Sequence, residues 1–175
     1  MPRTNALHSA VSPDWCTPLP ILVAARRTMG GIDLDPASCA QANTIVAAKR
    51  IYTAEQDGLT QPWRGRVFLN PPGTLVREFW MRLVEHWMQQ EEGEPRAVSQ
   101  AIWIGYSLEQ LQYLQNIHCS ITPLDFPLCV PKKRIKFYRQ DGAPGNAPTH
   151  ANYIAYLGPF ISKFITEFSH IGGVS

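Results

Sequence analysis

Arg66-Val67-Phe68-Leu69-Asn70-Pro71-Pro72-Gly73 is a short apolar run that stops on an asparagine and two prolines. The run reads as a buried strand, and the prolines cannot continue a sheet ladder. Immediately behind it, positions 75, 76, 79, 80, 83, 84, 87 and 88 are apolar, which is a helical stripe, and residues 91–95 end it. The unit is therefore strand, rigid turn, helix.

The same alternation extends outward. Upstream, Thr17 with Pro18 reads as the start of a helix carrying Ile21, Leu22, Ala25 and Met29, which stops at Gly30-Gly31. Gly31-Ile32-Asp33-Leu34-Asp35-Pro36 follows as a short strand ending on an acid and a proline. Residues 37–48 read as a loop and short helix, Arg50 to Thr53 as another strand, and Asp57-Gly58 as a turn. Downstream, Ala101-Ile102-Trp103-Ile104 is a strand, and Ser107 with Gln110 forms a capping box for a helix bearing Leu108, Leu111 and Leu114. Residues 121–139 and 151–157 read as an antiparallel strand pair joined by a polar loop, 140–149. A last helix from Gly158-Pro159 carries Phe160, Ile161, Phe164, Ile165 and Phe168 and closes at Gly172. Strands alternating with helices, then a hairpin, predict an α/β fold: a mostly parallel sheet, an antiparallel C-terminal hairpin and helices on both faces. One domain over residues 14–175 follows a flexible lead, 1–13.

Composition narrows the class. Apolar residues make up 45% of 175, which suits a soluble globular chain. No apolar run is long enough to span a bilayer, and no secretory signal stands at the N-terminus, so the expectation is a cytoplasmic protein without a membrane partner. Cys16, Cys39, Cys119 and Cys129 show no C-x-x-C spacing, so no metal is expected. His8, His86, His118, His150 and His170 pair with no nucleophile. His86 and His170 read as surface groups, and His150, before the late strand, is not assigned to the site. There is no nucleophile elbow and no phosphate-binding glycine loop with a lysine, which excludes the usual hydrolases and kinases. Net charge is only +2, yet Lys132, Lys133, Arg134, Lys136 and Arg139 cluster without an acid. Such a cluster serves equally as a phosphate grip or as a solvated strand face.

Ligands of open α/β sheets gather at the carboxyl ends of the strands. Asp33/Asp35, Asn70-Pro71-Pro72 and Tyr106-Ser107 all fall at expected strand ends. The Asn70 side-chain carbonyl and the Pro71 main-chain carbonyl are acceptors held by rigid prolines, with few donors nearby. Two fixed acceptors suit an –NH₂ group. Binding both hydrogens leaves the nitrogen lone pair aimed at an electrophile, and for an aryl amine helps to relocalise it. Methyl transfer from a sulfonium then needs mainly alignment and desolvation. The plain alternative is a rigid turn.

At this point the chain resembles a known family, the small phage and prophage DNA N6-adenine methyltransferases. The resemblance rests on Trp15-Cys16-Thr17-Pro18, on Asp33-Leu34-Asp35-Pro36-Ala37-Ser38 with Asn43, and on 52–59 with Trp63. Val67 to Pro72, Phe126-Pro127, Arg134 to Phe137, and Leu157-Gly158 complete it, from about residue 14 to the end. It implies a Rossmann-like methyltransferase fold, S-adenosylmethionine as cofactor and DNA as partner. It further implies that Asn70, Pro71 and Pro72 hold the target amine, that Asp33, Asp35, Pro36 and Ala37 sit by the cofactor with Thr17 and Pro18 near them, and that Asp57 lies close to cofactor or base. Phosphates would be gripped by Lys132, Lys133, Arg134 and Lys136, with Arg64 and Arg66 helping. The chain departs from the family at Gly73, where an aromatic usually stacks on the flipped-out base. Such stacking is worth roughly 1–3 kcal/mol. Trp63, Phe79, Trp80 and Tyr106 are candidate substitutes. Phe79 and Trp80 read as core, which leaves Tyr106 as the better one. Two other functions stay open on the sequence: methylation of another planar amine or amide, and a catalytically degenerate relative that binds DNA or a partner.

Overall fold

The computed structural model describes residues 16–90, 92–117, 121–139, 142–143, 145 and 150–175. The expected lead 1–13, Trp15, Cys119, His8, His118 and most of the 140–149 loop lie outside the described residues.

The chain runs α1 (Leu19–Met29), β1 (Leu34–Asp35), α2 (Ala40–Val46), β2 (Arg50–Ile51), β3 (Gly65–Leu69), α3 (Val76–Met88), β4 (Val98–Gly105), α4 (Leu108–Asn116), β5 (Leu128–Pro131), β6 (Tyr153–Leu157), α5 (Ile161–Phe168) and β7 (Gly172–Val174). One seven-stranded sheet has the order β2-β1-β3-β4-β6-β5-β7. Strands β1 to β4 are parallel, and β6, β5 and β7 pair antiparallel. This is the expected α/β architecture with an antiparallel C-terminal part, and it is consistent with a methyltransferase fold.

Strand alternation builds a core on each face. Val67, Leu69, Trp103, Tyr153 and Ala155 pack with Phe79, Trp80 and Leu83 of α3 and with Leu111 and Leu114 of α4. Phe68, Ile102, Ile104, Ile154 and Tyr156 pack with Leu22 and Ala25 of α1 and Phe164 and Phe168 of α5. Helices therefore cover both faces, as the two inward residue sets require. A register shift where Gly65 pairs with Val98 and Arg66 with Gln100 leaves one extra residue in β4.

Several local readings change. Pro18, not Thr17, caps α1, and no side chain bonds there; Thr17 is buried instead. Gly30 does end the helix, at φ 79° in the left-handed region. Ser107 accepts the Gln110 N–H as expected, but Gln110 Oε1 takes the N–H of Tyr106 rather than that of Ser107. Within 121–139, only Leu128–Pro131 is a strand. The Lys132 N–H still donates to Ile171 in register with β7, but the Ile171 N–H turns to Phe168 and the Ile135 N–H to the Asn152 side chain, so ladder pairing stops. Gly172, expected to close the last helix, instead begins β7 against β5. His86, expected at the surface, is buried, with its ring stacked on Trp63 at 5.7 Å.

Candidate active site

The strand directions decide which residues meet. The parallel strands β1, β3 and β4 end at one edge of the sheet. Strand β5 runs with them, because it is antiparallel to β6 and β6 to β4. The beginnings of β6 and β7 lie at the same edge. Asp35-Pro36, Asn70, Tyr106, the Lys132 segment, His150 to Asn152 and His170 therefore all stand along it. Chain order reverses at β1, which has β2 on one side and β3 on the other. That switch point is where open α/β sheets form their ligand crevice.

Asp35 and Asn70 flank this switch point. Leu34 pairs with Val67, so Asn70 lies two residues beyond the level of Asp35 on the adjacent strand. Ordinary strand spacing puts their main chains about 8 Å apart. Asp35 is only 4% exposed. Its Oδ1 accepts the Ala37 N–H at 3.2 Å. Burial pushes its carboxyl up from 3.8 to about 7, against the opposing pull of the Ala37 N–H and the Ser38 hydroxyl. That hydroxyl is itself buried and outside hydrogen-bonding geometry with any partner.

The loop after β1 is fixed from below. The Tyr52 N–H donates to the Asp35 carbonyl at 3.1 Å, and the Ser38 N–H to the Tyr52 carbonyl at 3.0 Å. The Asp57-Gly58 turn presses on it so closely that a Cβ at Gly58 would sit 1.9 Å from the Pro36 carbonyl oxygen. Only glycine fits there. Asp57 is held at φ 50°, a left-handed conformation that aspartate tolerates. Its Oδ1 accepts the Leu59 N–H at 3.2 Å, and the buried Trp63 indole donates to the Gly58 carbonyl at 2.7 Å. Asp35, Pro36, Ala37 and Asp57 thus come together, with Asn70, Pro71 and Pro72 on the next strand. The Asn70 turn runs into a single 3₁₀ turn, Gly73–Leu75, and then α3. Gly73 is exposed, and a Cβ there would meet no atom within 4 Å.

Other predicted residues are not brought to the crevice. Asp33 and Arg66 form an ion pair at the opposite edge, where β1 and β3 begin. Arg66 Nε meets Asp33 Oδ2 at 2.7 Å and Nη2 meets Oδ1 at 2.8 Å. Lys49 Nζ adds a contact at 2.9 Å. These cations hold the Asp33 carboxyl well below the usual carboxylate range. Arg64 precedes the same strand, about 20 Å from Asn70 at 3.3 Å per residue. Trp63 is fully buried, stacked on Phe79 with centroids 6.0 Å apart, so it offers no face to a base. Phe79 and Trp80 are core, as expected.

Lys132, Lys133, Arg134 and Lys136 are exposed beyond β5, three strands from β3. Pro18, Ile21, Lys132, Lys133, Ile135 and His170 line a shallow groove there. Thr17-Pro18 therefore stands at the functional edge but at its β5 end, with Cys16 bridged to Tyr138. Tyr106 is 48% exposed at the end of β4, and its ring lies 5.1 Å from that of His150. Sequence reasoning missed Asn152. It is buried, its Nδ2 donates to the Gly105 and Tyr106 carbonyls at 3.3 Å each, and its Oδ1 accepts the Ile135 N–H. A lone asparagine opening an apolar run was the available signal. Among the described residues no cluster of His, Cys, Asp and Glu could hold a metal, and no helix is long and apolar enough to cross a membrane.

A family model described as DNA N-6-adenine-methyltransferase (Dam) matches residues 4–141. The matched span covers β1 to β5 and the basic segment and ends before β6. No curated protein and no solved structure matches the chain.

Proposed function

The chain belongs to the Dam family of adenine-specific DNA methyltransferases, and from that premise we propose that Asn70-Pro71-Pro72 holds the adenine amine while the Asp35 loop holds S-adenosylmethionine. The observation carrying this reading is the meeting of Asp35 and Asn70 on adjacent strands at the switch point of the sheet.

The residues at Asp35 fit the cofactor. Among the described residues no cation pairs with the buried Asp35 carboxyl, whose pKa burial raises, and the Ser38 hydroxyl lies beside it. S-adenosylmethionine carries an ammonium and a sulfonium, and the sulfonium supplies the activated methyl group. Asp35, Pro36 and Ala37 would bind it, with Asp57 closing the floor. Thr17 and Pro18, at the β5 end of the edge, are too far along the sheet to share this loop.

The work of the chain is then positional. The Asn70 side-chain carbonyl and the Pro71 carbonyl accept the two N–H bonds of the exocyclic amine. Proline at 71 and 72 removes main-chain donors that would compete and fixes both acceptors. The lone pair is thereby turned toward the cofactor side, and desolvation and alignment supply the rate. The target base must leave the DNA stack to reach this edge. Lys132, Lys133, Arg134 and Lys136 grip phosphates beside it, and the open space at Gly73 admits the base.

The test offers labelled S-adenosylmethionine with DNA, RNA and protein in turn. Label is expected in DNA, on adenine N6. Asn70→Ala should remove methyl transfer while DNA binding persists. Methylation by Asn70→Ala at the wild-type rate would take the loop out of the mechanism.

A further inference from the structure

We propose that Tyr106 and His150 form a paired aromatic platform that holds the flipped adenine beside Asn70, in place of the missing aromatic at position 73. The proposal rests on the reading of Asn70 above.

Leu69 pairs with Trp103, so Tyr106 stands two residues beyond the level of Asn70 on the neighbouring strand. The main chains are about 8 Å apart at ordinary strand spacing, within reach of one purine. Tyr106 is 48% exposed although the last six residues of the strand before it are buried. Its main chain is pinned on both sides. Its N–H donates to Gln110 Oε1 at 2.7 Å and its carbonyl accepts from buried Asn152. A fixed backbone presenting an uncovered ring loses little entropy on stacking, which suits a binding surface.

His150 enlarges that surface from a different part of the chain. Its ring is exposed, lies 5.1 Å from Tyr106 and is tilted by 51°. Asn152, two residues after His150, ties the Tyr106 main chain to the basic segment through Ile135. The groups that would grip phosphate and base therefore share one rigid anchor. Trp63, Phe79 and Trp80 are buried in the core and cannot take this role. Gly73 leaves the space beside its own main chain open.

The experiment measures methyl transfer from labelled S-adenosylmethionine to unmethylated mixed-sequence duplex DNA. Tyr106→Ala and Tyr106→Leu should each lower kcat/KM roughly tenfold to a hundredfold, the range set by loss of base stacking. Cofactor binding by calorimetry should stay unchanged, which shows that the fold survives. His150→Ala should lose several-fold, and His150→Phe should recover most of that loss. Adding Gly73→Phe to Tyr106→Ala should restore much of the rate. In Tyr106→Trp, DNA should quench the added indole emission. Wild-type kcat/KM in both Tyr106→Ala and Tyr106→Leu would overturn the platform. If Asn70→Ala is inactive in the same assay, that result sinks the platform alone; if Asn70→Ala is active, the amine-holding reading fails first.

Discussion

Replacing Asp35 with asparagine tests the cofactor end of the crevice through its electrostatics. Asp35 is 4% exposed, and burial raises its carboxyl from 3.8 to about 7. The folded chain then keeps this proton up to about pH 7, whereas the unfolded chain loses it near 3.8. Between those values the native state binds more protons, so stability falls as pH rises, by about 1.4 kcal/mol per pH unit. The full loss, complete above pH 7 and absent below 3.8, is roughly 4 kcal/mol, and relaxation or water entry reduces it. Asparagine cannot ionise, and its carbonyl still accepts the Ala37 N–H. Asp35→Asn should therefore match wild type in urea unfolding at pH 4 and exceed it by as much as about 4 kcal/mol at pH 8. A cationic cofactor stabilises the carboxylate, so S-adenosylmethionine affinity should climb from pH 6 to 8 in wild type. In Asp35→Asn it should be flat, and weaker by about tenfold or more at pH 8. Parallel stability curves for the two proteins from pH 4 to 8 would refute the reasoning, because they would mean that Asp35 ionises as freely folded as unfolded.

The ion pair at the opposite edge behaves otherwise. Arg66→Met removes two charged contacts to Asp33, of 2.7 and 2.8 Å, and should cost about 2 kcal/mol in urea unfolding. Methylation per folded molecule should hold, and a selective loss of activity would place Arg66 in the site. Because Asp33 is held below its ordinary range, its share of stability should be present above about pH 3.8 and fade as pH falls below it. Replacing Lys132 and Lys133 together with glutamine should flatten the slope of log affinity for DNA against log salt by about two. An unchanged slope would mean that DNA does not cross that groove. Gly58→Ala puts a Cβ 1.9 Å from the Pro36 carbonyl oxygen, so the cofactor loop must shift. Calorimetry should show at least about tenfold weaker S-adenosylmethionine binding, as a misplacement of about 1 Å can cost; normal affinity would show that the loop yields freely.

What the sequence makes legible here is whatever one element decides alone. The strand before Asn70 and the stripe of α3 are written in local apolar spacing, and both form as that spacing requires. The rule that ligands meet carboxyl strand ends picks out Asp35, Asn70 and Tyr106 without any knowledge of strand order, and the sheet brings all three to one edge. It does not reach Asp33, two residues from Asp35, because Asp33 stands where β1 begins and Arg66 of the neighbouring strand β3 claims it there. The reading of His86 as a surface group fails because its partners, too, come from the folded chain. A neutral imidazole is admitted to a core once an aromatic face and a carbonyl receive it, and Trp63 and the Arg82 carbonyl do so. His150 is the opposite case: a residue without local signature acquires a neighbour when β6 inserts between β4 and β5. The C-terminal hairpin thereby does more than finish the sheet. By running antiparallel, β6 brings its first residues, rather than its last, to the carboxyl edge, and so delivers His150 and Asn152 beside Tyr106. A parallel strand in that place would have put both at the far edge, with the Tyr106 carbonyl unpinned and the link from Asn152 to Ile135 lost.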